Sequence, residues 1–444
     1  MTELDPAFPL LKEAAAEQGA RAWAVGGFVR DRLLRRPHPD LDIVVEAGDA
    51  LQLAERFAEL AGARKPVLFP RFGTAQVTWG ERLVEFANAR AESYAADSRK
   101  PEVRPASLRE DLERRDFTVN ALLMDLEGEV HDPLGGGRAD LEARLLRTPR
   151  EPRLTFSDDP LRMLRAIRFA AQLGFQLAPD LLPAMRELRD RLQPPVLSVE
   201  RTADELRKML LSERPALALQ LMDEGGLLEV VLPELAATKG VEQKGWHHAD
   251  VYGHTLEAVG QTPPALTERL AALLHDVGKP ATAGGDGTFY GHELKGAELA
   301  AGALHRLRFS NAEAERVSAL VRMHMRPVFY ESSWGDSAVR RLARDAGDLL
   351  DPLMAVARAD IAASDYPEPQ KLDELESRLH AVLEEMPSRI RVPVSGKDIM
   401  RELNLPPGAE VGKIKAEIEE KILEGEIEPD REAILDYLRR RRGG

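Results

Sequence analysis

The sequence predicts an α+β protein, with a mixed sheet and helices in the first third and helices alone in the remainder. Between residues 22 and 87, short β-branched and apolar runs alternate with Gly or Arg turns, a pattern typical of strands. From Ser157 onward, apolar residues recur at helical spacing almost without interruption. A chain of 444 residues is long enough for several domains with real cores.

The composition limits the classes of function. The chain contains no cysteine, which excludes disulfides, cysteine-ligated zinc and thiol catalysis. The N-terminus does not resemble a signal peptide and no apolar run reaches membrane-spanning length, so we expect a soluble, cytoplasmic protein with no membrane partner. The net charge of −14 argues against nucleic-acid binding through bulk charge, but it is compatible with a local basic surface.

The chain is organised around a strand, a glycine turn, a helix and a second strand between residues 22 and 45. Gly26 and Gly27 can bring backbone N–H groups close to a phosphate at the helix start, where the positive end of the helix dipole lies. Arg30 follows within the first two turns, within reach of the same anion. A turn without a ligand would produce the same glycines, so the motif alone leaves both interpretations open.

Carboxylates at the second strand form the next candidate site. Asp40 and Asp42 are two residues apart, so an extended strand would direct both side chains to one face. Two hard oxygen ligands beside a triphosphate suit Mg²⁺ and the two-metal scheme of in-line phosphoryl transfer. Glu85, in a later predicted strand, could supply a third carboxylate opposite them. Solvated carboxylates on exposed strand positions are the alternative.

Two polar stretches follow the predicted sheet. Residues 91–108 contain proline and have no apolar period, which predicts a mobile loop. The next stretch reads RRDFTVNALLMDL, and three of its residues are candidates for contacts with a triphosphate and ribose: Arg115, Asp116 and Asn120.

An acid and three arginines recur every three residues where the helical part begins: Asp159, Arg162, Arg165 and Arg168. Pro160 lies just inside the predicted helix, with Asp158 or Asp159 as its N-cap. Asp159 and Arg162, one helical turn apart, would complement the amino donor and ring-nitrogen acceptor of C and A and mismatch G and U. Arg165 and Arg168 then remain for phosphates or RNA. The alternative is an exposed ladder of i, i+3 ion pairs.

Five linked motifs resemble the class II (bacterial-type) tRNA nucleotidyltransferase and poly(A) polymerase family. They cover residues 20 to 210 in order: GGFVRDRLL with PDLDIVV, RRDFTVNALLMDL, HDPLGGGRADLEARLLRT, DDPLRMLRAIRFA and SVERTADELRKML. The resemblance implies a polymerase-β-like head, a helical neck, Mg²⁺ as cofactor, and untemplated transfer of CMP or AMP from CTP or ATP to the 3′ end of tRNA.

The resemblance also implies roles for particular residues. Matching positions are Gly27 and Arg30 for the triphosphate, Asp40 and Asp42 for Mg²⁺, Arg115, and Asp159 and Arg162 for the base, followed by Arg165 and Arg168. The last motif contributes Ser198, Glu200, Arg201 and Glu205, which we expect to brace the neck rather than to take part in chemistry.

A second constellation of candidate ligands lies beyond residue 236. It comprises four of the ten histidines and two aspartates: His254, His275, Asp276, His292, His324 and Asp360. Imidazole with carboxylate suits a divalent transition metal, or Mg²⁺ held mainly through oxygen. Capping or core histidines are the alternative. The pattern is similar to the HD superfamily of metal-dependent phosphohydrolases, in which His292 and His324 match the additional histidines of longer variants. The resemblance implies either a second, hydrolytic activity or a tRNA-binding body that has kept its ligands.

We therefore expect four regions. They are a nucleotidyltransferase head (1–150), a base-reading and RNA-binding neck (151–235), an HD phosphohydrolase-like domain (236–365) and a helical tail that binds the tRNA body (366–444). The sequence leaves the oligomeric state open.

The substrate choice stays open among complete CCA addition, A addition alone and poly(A) synthesis. The acidic net charge weighs against a general poly(A) polymerase. The near full-length stretch 91–108 weighs against a CC-only enzyme, because family members need this loop for A addition. A hypothesis of another class is an HD phosphohydrolase whose head only binds RNA, but the intact Asp40, Asp42, Asp159 and Arg162 argue against it.

Overall fold

The computed structural model describes residues 4–38, 40–93, 102–243, 245, 248–284, 287–385, 393–423 and 426–443. The chain divides into two compact units, 1–236 with 306–308, and 237–305 with 309–444. The first unit combines sheets with helices and the described part of the second is helical, which confirms the predicted α+β class. The finer division into four regions stays a prediction.

The strands of the first unit are β1 (Arg21–Val25), β2 (Leu41–Ala47), β3 (Val67–Phe69), β4 (Thr74–Trp79), β5 (Arg82–Asn88), β6 (Arg90–Ser93), β7 (Glu102–Pro105), β8 (Leu123–Met124), β9 (Val130–His131), β10 (Leu145–Leu146) and β11 (Gln176–Leu177). Seven of them form one sheet in the order β3-β4-β5-β2-β1-β8-β9. β2 and β5 are parallel, and their register aligns Asp42 with Glu85. The sheet therefore brings together two carboxylates that are far apart in sequence.

The helices of the first unit are α1 (Ala7–Gln18), α2 (Gly27–Leu33), α3 (Ala50–Leu60), α4 (Leu108–Glu113), α5 (Gly137–Glu142), α6 (Pro152–Asp158), α7 (Leu161–Leu173), α8 (Leu181–Leu188), α9 (Val199–Leu210), α10 (Pro215–Glu224), α11 (Leu228–Val231) and α12 (Pro233–Ala236). α3 begins where the Asp49 carboxylate accepts the Leu51 N–H, and it buries Phe57 against Phe86 of β5, with ring centroids 5.6 Å apart. This packing supports the strand that carries Glu85.

The predicted loop at residues 91–108 is only partly a loop. β6 and β7 pair as an antiparallel two-stranded ribbon, and α4 begins at Leu108 behind a capping box of Ser107 and Glu110. Ribbon pairing uses backbone N–H and C=O groups, so it needs no apolar period in the sequence. Residues 94–101, the middle of the predicted loop, lie outside the described residues.

The helices of the second unit are α13 (Val251–Gln261), α14 (Leu266–Leu274), α15 (Lys279–Thr282), α16 (His292–Arg306), α17 (Asn311–Met323), α18 (Met325–Val328), α19 (Asp336–Ala346), α20 (Leu350–Ala362), α21 (Gln370–Glu385), α22 (Gly396–Leu403), α23 (Ala409–Leu423) and α24 (Arg431–Gly443). α14 is buried along most of its length and packs against α13, α17 and α20. The last three helices enclose a small core that includes Ile399, Ile418 and Ile434. Of the helices described, none has both the length and the apolar character to cross a membrane.

Candidate functional site

A cleft of about 550 Å³ in the first unit collects most of the predicted head and neck residues. Its floor carries Asp42 of β2 and Glu85 of β5. Its walls carry Arg115 and Asp116 after α4, Asp159 between α6 and α7, Arg162 and Arg165 of α7, and Arg201 of α9. Acidic groups from the sheet therefore face a cleft that also contains arginines from the helices.

The glycine turn is packed against the floor of this cleft. Gly26 has a φ of +77°, and a Cβ atom there would lie 3.0 Å from Oδ2 of Asp42 and 3.4 Å from Nη1 of Arg115. A side chain at Gly27 would collide with His38, since its Cβ would lie 2.7 Å from Nε2 of that ring. The positive φ at Gly26 therefore favours glycine, whereas at Gly27 the constraint is the contact with the His38 side chain.

The three predicted carboxylates occupy different environments. Burial raises the pKa of Asp42, the negative charges of Glu85 and Asp40 add to that effect, and Arg115 opposes it. Glu85 accepts a hydrogen bond from Nε2 of Gln76 at 2.5 Å. Asp40 is exposed and precedes β2 by one residue. These oxygen donors, with incompletely neutralised negative charge, fit a hard divalent cation such as Mg²⁺.

Arg115 is held on the cleft wall by a buried acid that sequence interpretation missed. Asp111 of α4 accepts hydrogen bonds from Nη2 of Arg114 at 3.0 Å and from Nη2 of Arg115 at 3.2 Å. Nε of Arg115 is buried and has no hydrogen-bond partner among the described residues. Asp111 therefore anchors the Arg115 guanidinium through Nη2, and the buried Nε–H stays available as a donor.

Asp116 is the centre of a buried polar network rather than a free ligand. Its carboxylate accepts hydrogen bonds from Nδ2 of Asn120 at 2.8 Å and from Nε and Nη2 of Arg165 at 2.8 and 2.5 Å. Burial disfavours the charged form, but Arg165 and Asn120 outweigh it and hold the pKa of Asp116 well below its usual range. The network fastens α7 to the head.

Arg30 and Asn120 do not line the cleft, contrary to their predicted nucleotide contacts. Arg30 is buried and donates from Nε and Nη2 to Asp31, at 2.8 Å each, and from Nη1 to Oδ1 of Asn120 at 2.8 Å. A buried guanidinium requires hydrogen-bond partners, and these acceptors lie inside the protein instead of at a phosphate. Both residues extend the network of Asp116 behind the cleft wall.

Asp159 and Arg162 lie in the cleft as predicted. Asp159 links α6 to α7, and its Oδ1 accepts the Leu161 N–H at 3.1 Å. The N-cap position of α7 is Pro160, so the predicted helix start was one residue too early. Its Oδ2 accepts a hydrogen bond from Nη2 of Arg201 at 2.9 Å. Arg162 donates to the backbone oxygen of Thr155 at 3.3 Å. Asp159 is therefore held in place by two donors from different helices.

The row of arginines is not an exposed ladder of i, i+3 ion pairs. Arg168 is buried, donates from Nε to Oε2 of Glu205 at 2.5 Å, and lies over the ring of Phe169. Its predicted RNA contact is wrong for this structure, because a buried guanidinium is stabilised by the buried carboxylate beside it. Glu205 braces the neck, as expected, but Arg201 from the same motif lies in the cleft.

The second unit brings all six residues of the histidine constellation together. They are supplied by α13 (His254), the end of α14 (His275 and Asp276), the start of α16 (His292), the junction of α17 and α18 (His324) and α20 (Asp360). All six are buried. Five of them form two groups, His254 with His275 and Asp276, and Asp276 with His292 and His324. Within each group the ligand atoms lie within 4.8 Å of one another, and Asp276 belongs to both groups. The constellation is therefore one cluster in space, and its role as a metal site stays a prediction beside the alternative of capping or core histidines.

The four rings are oriented by backbone carbonyls. Nδ1 of His275, His292 and His324 lies 2.7, 2.9 and 2.6 Å from the carbonyl oxygen three residues earlier in each case. Nδ1 of His254 lies 3.0 Å from the carbonyl oxygen of Ala363. A carbonyl oxygen can only accept, so Nδ1 carries a proton in each ring and the Nε2 atoms face the interior of the cluster.

The interior of the cluster suits a cation. Nε2 of His275 lies 3.1 Å from Oδ2 of Asp276, yet within the described part of the chain it has no hydrogen-bond partner. Burial lowers the pKa of His324 to about 4. For His275 the charges of Asp276 and Asp360 outweigh burial and raise the pKa to about 9. Nitrogen and carboxylate donors converge here as they do in sites for divalent metals.

A cavity of about 580 Å³ opens beside this cluster. Asp276, His292 and Asp360 form part of its lining, and cationic side chains form another part: Lys279, Arg322 and Arg326. Tyr290 and Phe329 complete it and are largely exposed. The cavity therefore offers positive charge beside the candidate metal ligands and apolar surface further out.

Three family models match successive parts of the chain. Residues 22–147 match the poly A polymerase head domain, and residues 174–239 match the probable RNA and SrmB-binding site of polymerase A. Residues 292–438 match a model described as tRNA nucleotidyltransferase domain 2, putative. The first match contains Asp42, Glu85, Arg115 and Asp116 of the cleft, and the second contains Arg201. Asp159, Arg162 and Arg165 lie between the two matched ranges.

Relatives of known activity align along nearly the whole chain. An A-adding tRNA nucleotidyltransferase of Deinococcus radiodurans is 35% identical over 427 residues, 92% of this chain and 93% of that protein. A CC-adding tRNA nucleotidyltransferase of Thermus thermophilus is 38% identical over 425 residues, 93% of this chain and 92% of that protein. The structure of the Bacillus stearothermophilus CCA-adding enzyme in complex with CTP is similar, with a TM-score of 0.71 and 28% identity over 98% of each chain.

Proposed function

The chain belongs to the family of tRNA nucleotidyltransferases and poly(A) polymerases, and from that premise we propose that its cleft transfers CMP and AMP from CTP and ATP to the 3′ end of tRNA, to build or repair the terminal CCA. One observation carries this proposal. Asp42 and Glu85 are register partners on parallel strands, and they share a cleft with Asp159 and Arg162 of the neck. A tRNA substrate assigns the activity to the cytoplasm.

Asp42 and Glu85, with Asp40 at the edge, are the groups that would hold Mg²⁺ in the cleft. When bound, the ion supplies charge neutralisation for the triphosphate and activates the terminal hydroxyl of the primer for in-line attack. Arg115 is placed to bind the triphosphate, since its Nε is a buried donor without a partner among the described residues. Gly26 keeps this floor open, because any side chain there would approach Asp42 and Arg115.

Asp159 and Arg162 supply the base selectivity in this proposal. The Asp159 carboxylate accepts a hydrogen bond from the exocyclic amino group of C or A, and the Arg162 guanidinium donates to the ring nitrogen beside it. Uracil and guanine present a carbonyl oxygen where C and A have the amino group, and an N–H where C and A have the ring-nitrogen acceptor. The Asp159 carboxylate would then face another acceptor, and the Arg162 guanidinium would face another donor. Selection then needs no template strand.

The identity of the added nucleotides is the part that experiment must decide. The A-adding and the CC-adding relatives are 35% and 38% identical to this chain, so overall similarity does not separate the two specificities. We propose complete CCA addition, with A addition alone and poly(A) synthesis as the alternatives. The acidic net charge of −14 weighs against poly(A) synthesis on arbitrary RNA.

Single-nucleotide incorporation on three tRNA transcripts tests this proposal. The transcripts end before the CCA, after the first C and after CC, and each is incubated with Mg²⁺ and labelled CTP or ATP. We expect two CMP on the shortest transcript and then one AMP. AMP on the CC-ended transcript alone would indicate an A-adding enzyme, and long ATP-dependent tails would indicate a poly(A) polymerase. No incorporation on any transcript would contradict the proposal.

For the second unit, we propose a metal-dependent phosphohydrolase. The observation that favours it is the set of four histidines whose Nδ1 atoms all face carbonyl oxygens, so that their Nε2 atoms converge on Asp276 and Asp360. Lys279, Arg322 and Arg326 in the adjoining cavity would attract an anionic phosphate ester. A bound divalent transition metal or Mg²⁺ would supply a Lewis acid and a hydroxide at neutral pH.

Metal analysis followed by a phosphatase assay tests this second function. The purified chain is measured for bound transition metals and then assayed with phosphate monoesters and cyclic nucleotides in the presence of each metal. Metal binding with hydrolysis supports the proposal. Metal binding without hydrolysis of any ester would instead support a structural site in a tRNA-binding body.

A further inference from the structure

Arg201 is the residue of the cleft whose role the sequence did not anticipate. It lies on α9, 42 residues after Asp159, and its Nη2 donates to Oδ2 of Asp159 at 2.9 Å. Its side chain is half exposed and lines the cleft. In this structure the partner of Arg201 in the cleft is therefore Asp159.

Asp159 needs such a partner because its backbone does not belong to a helix. Its φ of −144° and ψ of 103° are extended, and the residue lies between the last residue of α6 and the first turn of α7. The Leu161 N–H holds Oδ1, and without Arg201 the other oxygen would lose its donor on the opposite side. Two anchors from different helices fix a carboxylate plane that one anchor would leave free to rotate.

α9 is itself fixed against α7 by a second ion pair. Glu205 lies one helical turn after Arg201, on the same face of α9, and its carboxylate accepts Nε of Arg168 at 2.5 Å. That pair is buried, whereas the pair of Arg201 and Asp159 reaches the cleft. The buried pair therefore sets the position from which Arg201 reaches Asp159.

We propose that Arg201 is a positioning residue that sets nucleotide selectivity by orienting the Asp159 carboxylate. The inference rests on the base-selecting role proposed above for Asp159. Each oxygen of Asp159 already accepts one hydrogen bond, so its remaining lone pairs point in a defined direction. An amino group of the base can donate to them, whereas a carbonyl oxygen cannot. A carboxylate free to rotate would accept donors from more directions and discriminate less.

Nucleotide kinetics of Arg201→Ala, Arg201→Lys and Asp159→Ala test the inference, with Lys208→Ala as the matched control. Lys208 is an exposed cation on the same helix and lies 3.7 Å from Glu205, away from the cleft. Because the pair of Arg201 and Asp159 is half exposed, we expect Arg201→Ala to fold, and a thermal melt checks this. Each variant is assayed for kcat and KM with CTP, ATP, UTP and GTP on the three tRNA transcripts.

For Arg201→Ala we expect KM for the accepted nucleotide to rise about tenfold, its preference over UTP and GTP to fall about tenfold, and kcat to change less than about threefold. Arg201→Lys, which keeps one charged donor, should recover part of the selectivity. The double variant with Asp159→Ala should lose no more selectivity than Asp159→Ala alone, because both changes remove the same contact to the base.

Three results would overturn the inference, and they are distinguishable. If Asp159→Ala reduces selectivity and Arg201→Ala leaves it at the wild-type value, then Arg201 does not position Asp159 and base selection by Asp159 stands. If Asp159→Ala itself leaves selectivity unchanged, base selection by Asp159 is wrong and the role of Arg201 falls with it. A uniform fall in kcat for all four nucleotides at constant KM would also contradict a positioning role.

Discussion

The cleft and the histidine cluster hold their functional groups in opposite ways. In the cluster, each ring is fixed through Nδ1 by a backbone carbonyl oxygen, three times by the carbonyl three residues earlier. In the cleft, partner side chains do much of this work: Gln76 holds Glu85, and Arg201 holds Asp159 together with the Leu161 N–H. The geometry of the cluster therefore depends on intact helices, whereas that of the cleft depends on scattered partner residues.

The two regions also differ in how closely their ligand atoms approach. The cluster forms two groups of ligand atoms within 4.8 Å, and across the described residues Asp40, Asp42 and Glu85 form no such group. In the cluster the carboxylates of Asp276 and Asp360 lie beside imidazole rings, whereas Asp42 and Glu85 are register partners whose negative charges repel until a cation offsets them. The comparison teaches that the cluster is preorganised for a cation and that the cleft relies on electrostatic attraction to one.

Asp42→Ala should produce the largest separation between the two regions. It removes a carboxylate from the floor of the cleft, so we expect nucleotide addition to fall by at least about 10³-fold. Metal content and hydrolysis in the second unit should stay at wild-type values. The readouts are tRNA incorporation and metal analysis of the same preparation.

Glu46→Ala is the matched control for that variant. Glu46 is a carboxylate of the same strand, pairs with Arg21 at 3.2 Å and does not line the cleft. It should keep normal incorporation. Normal incorporation by Asp42→Ala would show that the cleft is not the active site.

His275→Ala should disrupt the histidine cluster and leave the cleft intact. One ring of the shared cluster is lost, so we expect bound metal to fall by at least about tenfold, together with any hydrolysis, at unchanged tRNA incorporation. His305→Ala, an exposed histidine at the end of α16, is the control. Full metal content in His275→Ala would rule out the cluster as the metal site.

Glu205→Ala sharpens the claim that partner residues hold the cleft. It leaves the buried Arg168 without its carboxylate, and we expect a loss of about 3 kcal/mol in the free energy of unfolding of the first unit. Urea unfolding measures it. Glu187→Ala removes the exposed pair with Arg153 and should cost less than about 1 kcal/mol. Equal losses for the two variants would contradict a distinction between buried and exposed pairs.

Gln76→Ala should give the smallest effect. Gln76 donates to Oε1 of Glu85 at 2.5 Å, and loss of this one hydrogen bond should lower kcat/KM for nucleotide addition by about five-fold. Thr78→Ala, two residues along the same strand and away from the cleft, should leave kcat/KM unchanged. An unchanged kcat/KM for Gln76→Ala would mean that the sheet alone positions Glu85.

Short-range patterns predicted what depends on neighbouring residues. The strand, glycine turn, helix and strand around Gly26 all follow from periodicity and turn chemistry within about twenty residues. The helix start beside Asp159 was equally local and was predicted to within one residue. The alignment of Asp42 with Glu85 was anticipated only as a third carboxylate opposite the first two, because strand pairing across 43 residues has no local signal.

Long-range partners explain what sequence interpretation missed. Arg30 follows a glycine turn, which suggests an anion, but its acceptors are the adjacent Asp31 and Asn120, 90 residues away. The adjacent Asp31 was a sequence signal for this outcome, because the carboxylate of a neighbouring acid can accept the hydrogen bonds of the Arg30 guanidinium inside the protein. Arg201 lies 42 residues from Asp159, and nothing in its own helix pattern distinguishes a cleft residue from a solvent-exposed one. The histidine spacings have no helical period that would gather them, so the sequence offered only their concentration in one part of the chain and the family resemblance.

The buried network behind the cleft wall has a consequence for the electrostatic potential inside the cleft. Its charged members are two carboxylates, Asp31 and Asp116, and two guanidinium groups, Arg30 and Arg165. Their formal charges sum to zero, so the network contributes mainly short-range dipolar terms and little net field at a distance. Asp116 and Arg165 line the cleft but offset each other, so the net charge that an incoming triphosphate meets is set by the other charged groups of the lining: Asp42, Glu85, Asp111, Arg114, Arg115, Asp159, Arg162 and Arg201. Neutralising Asp116 alone would add one uncompensated positive charge to the wall.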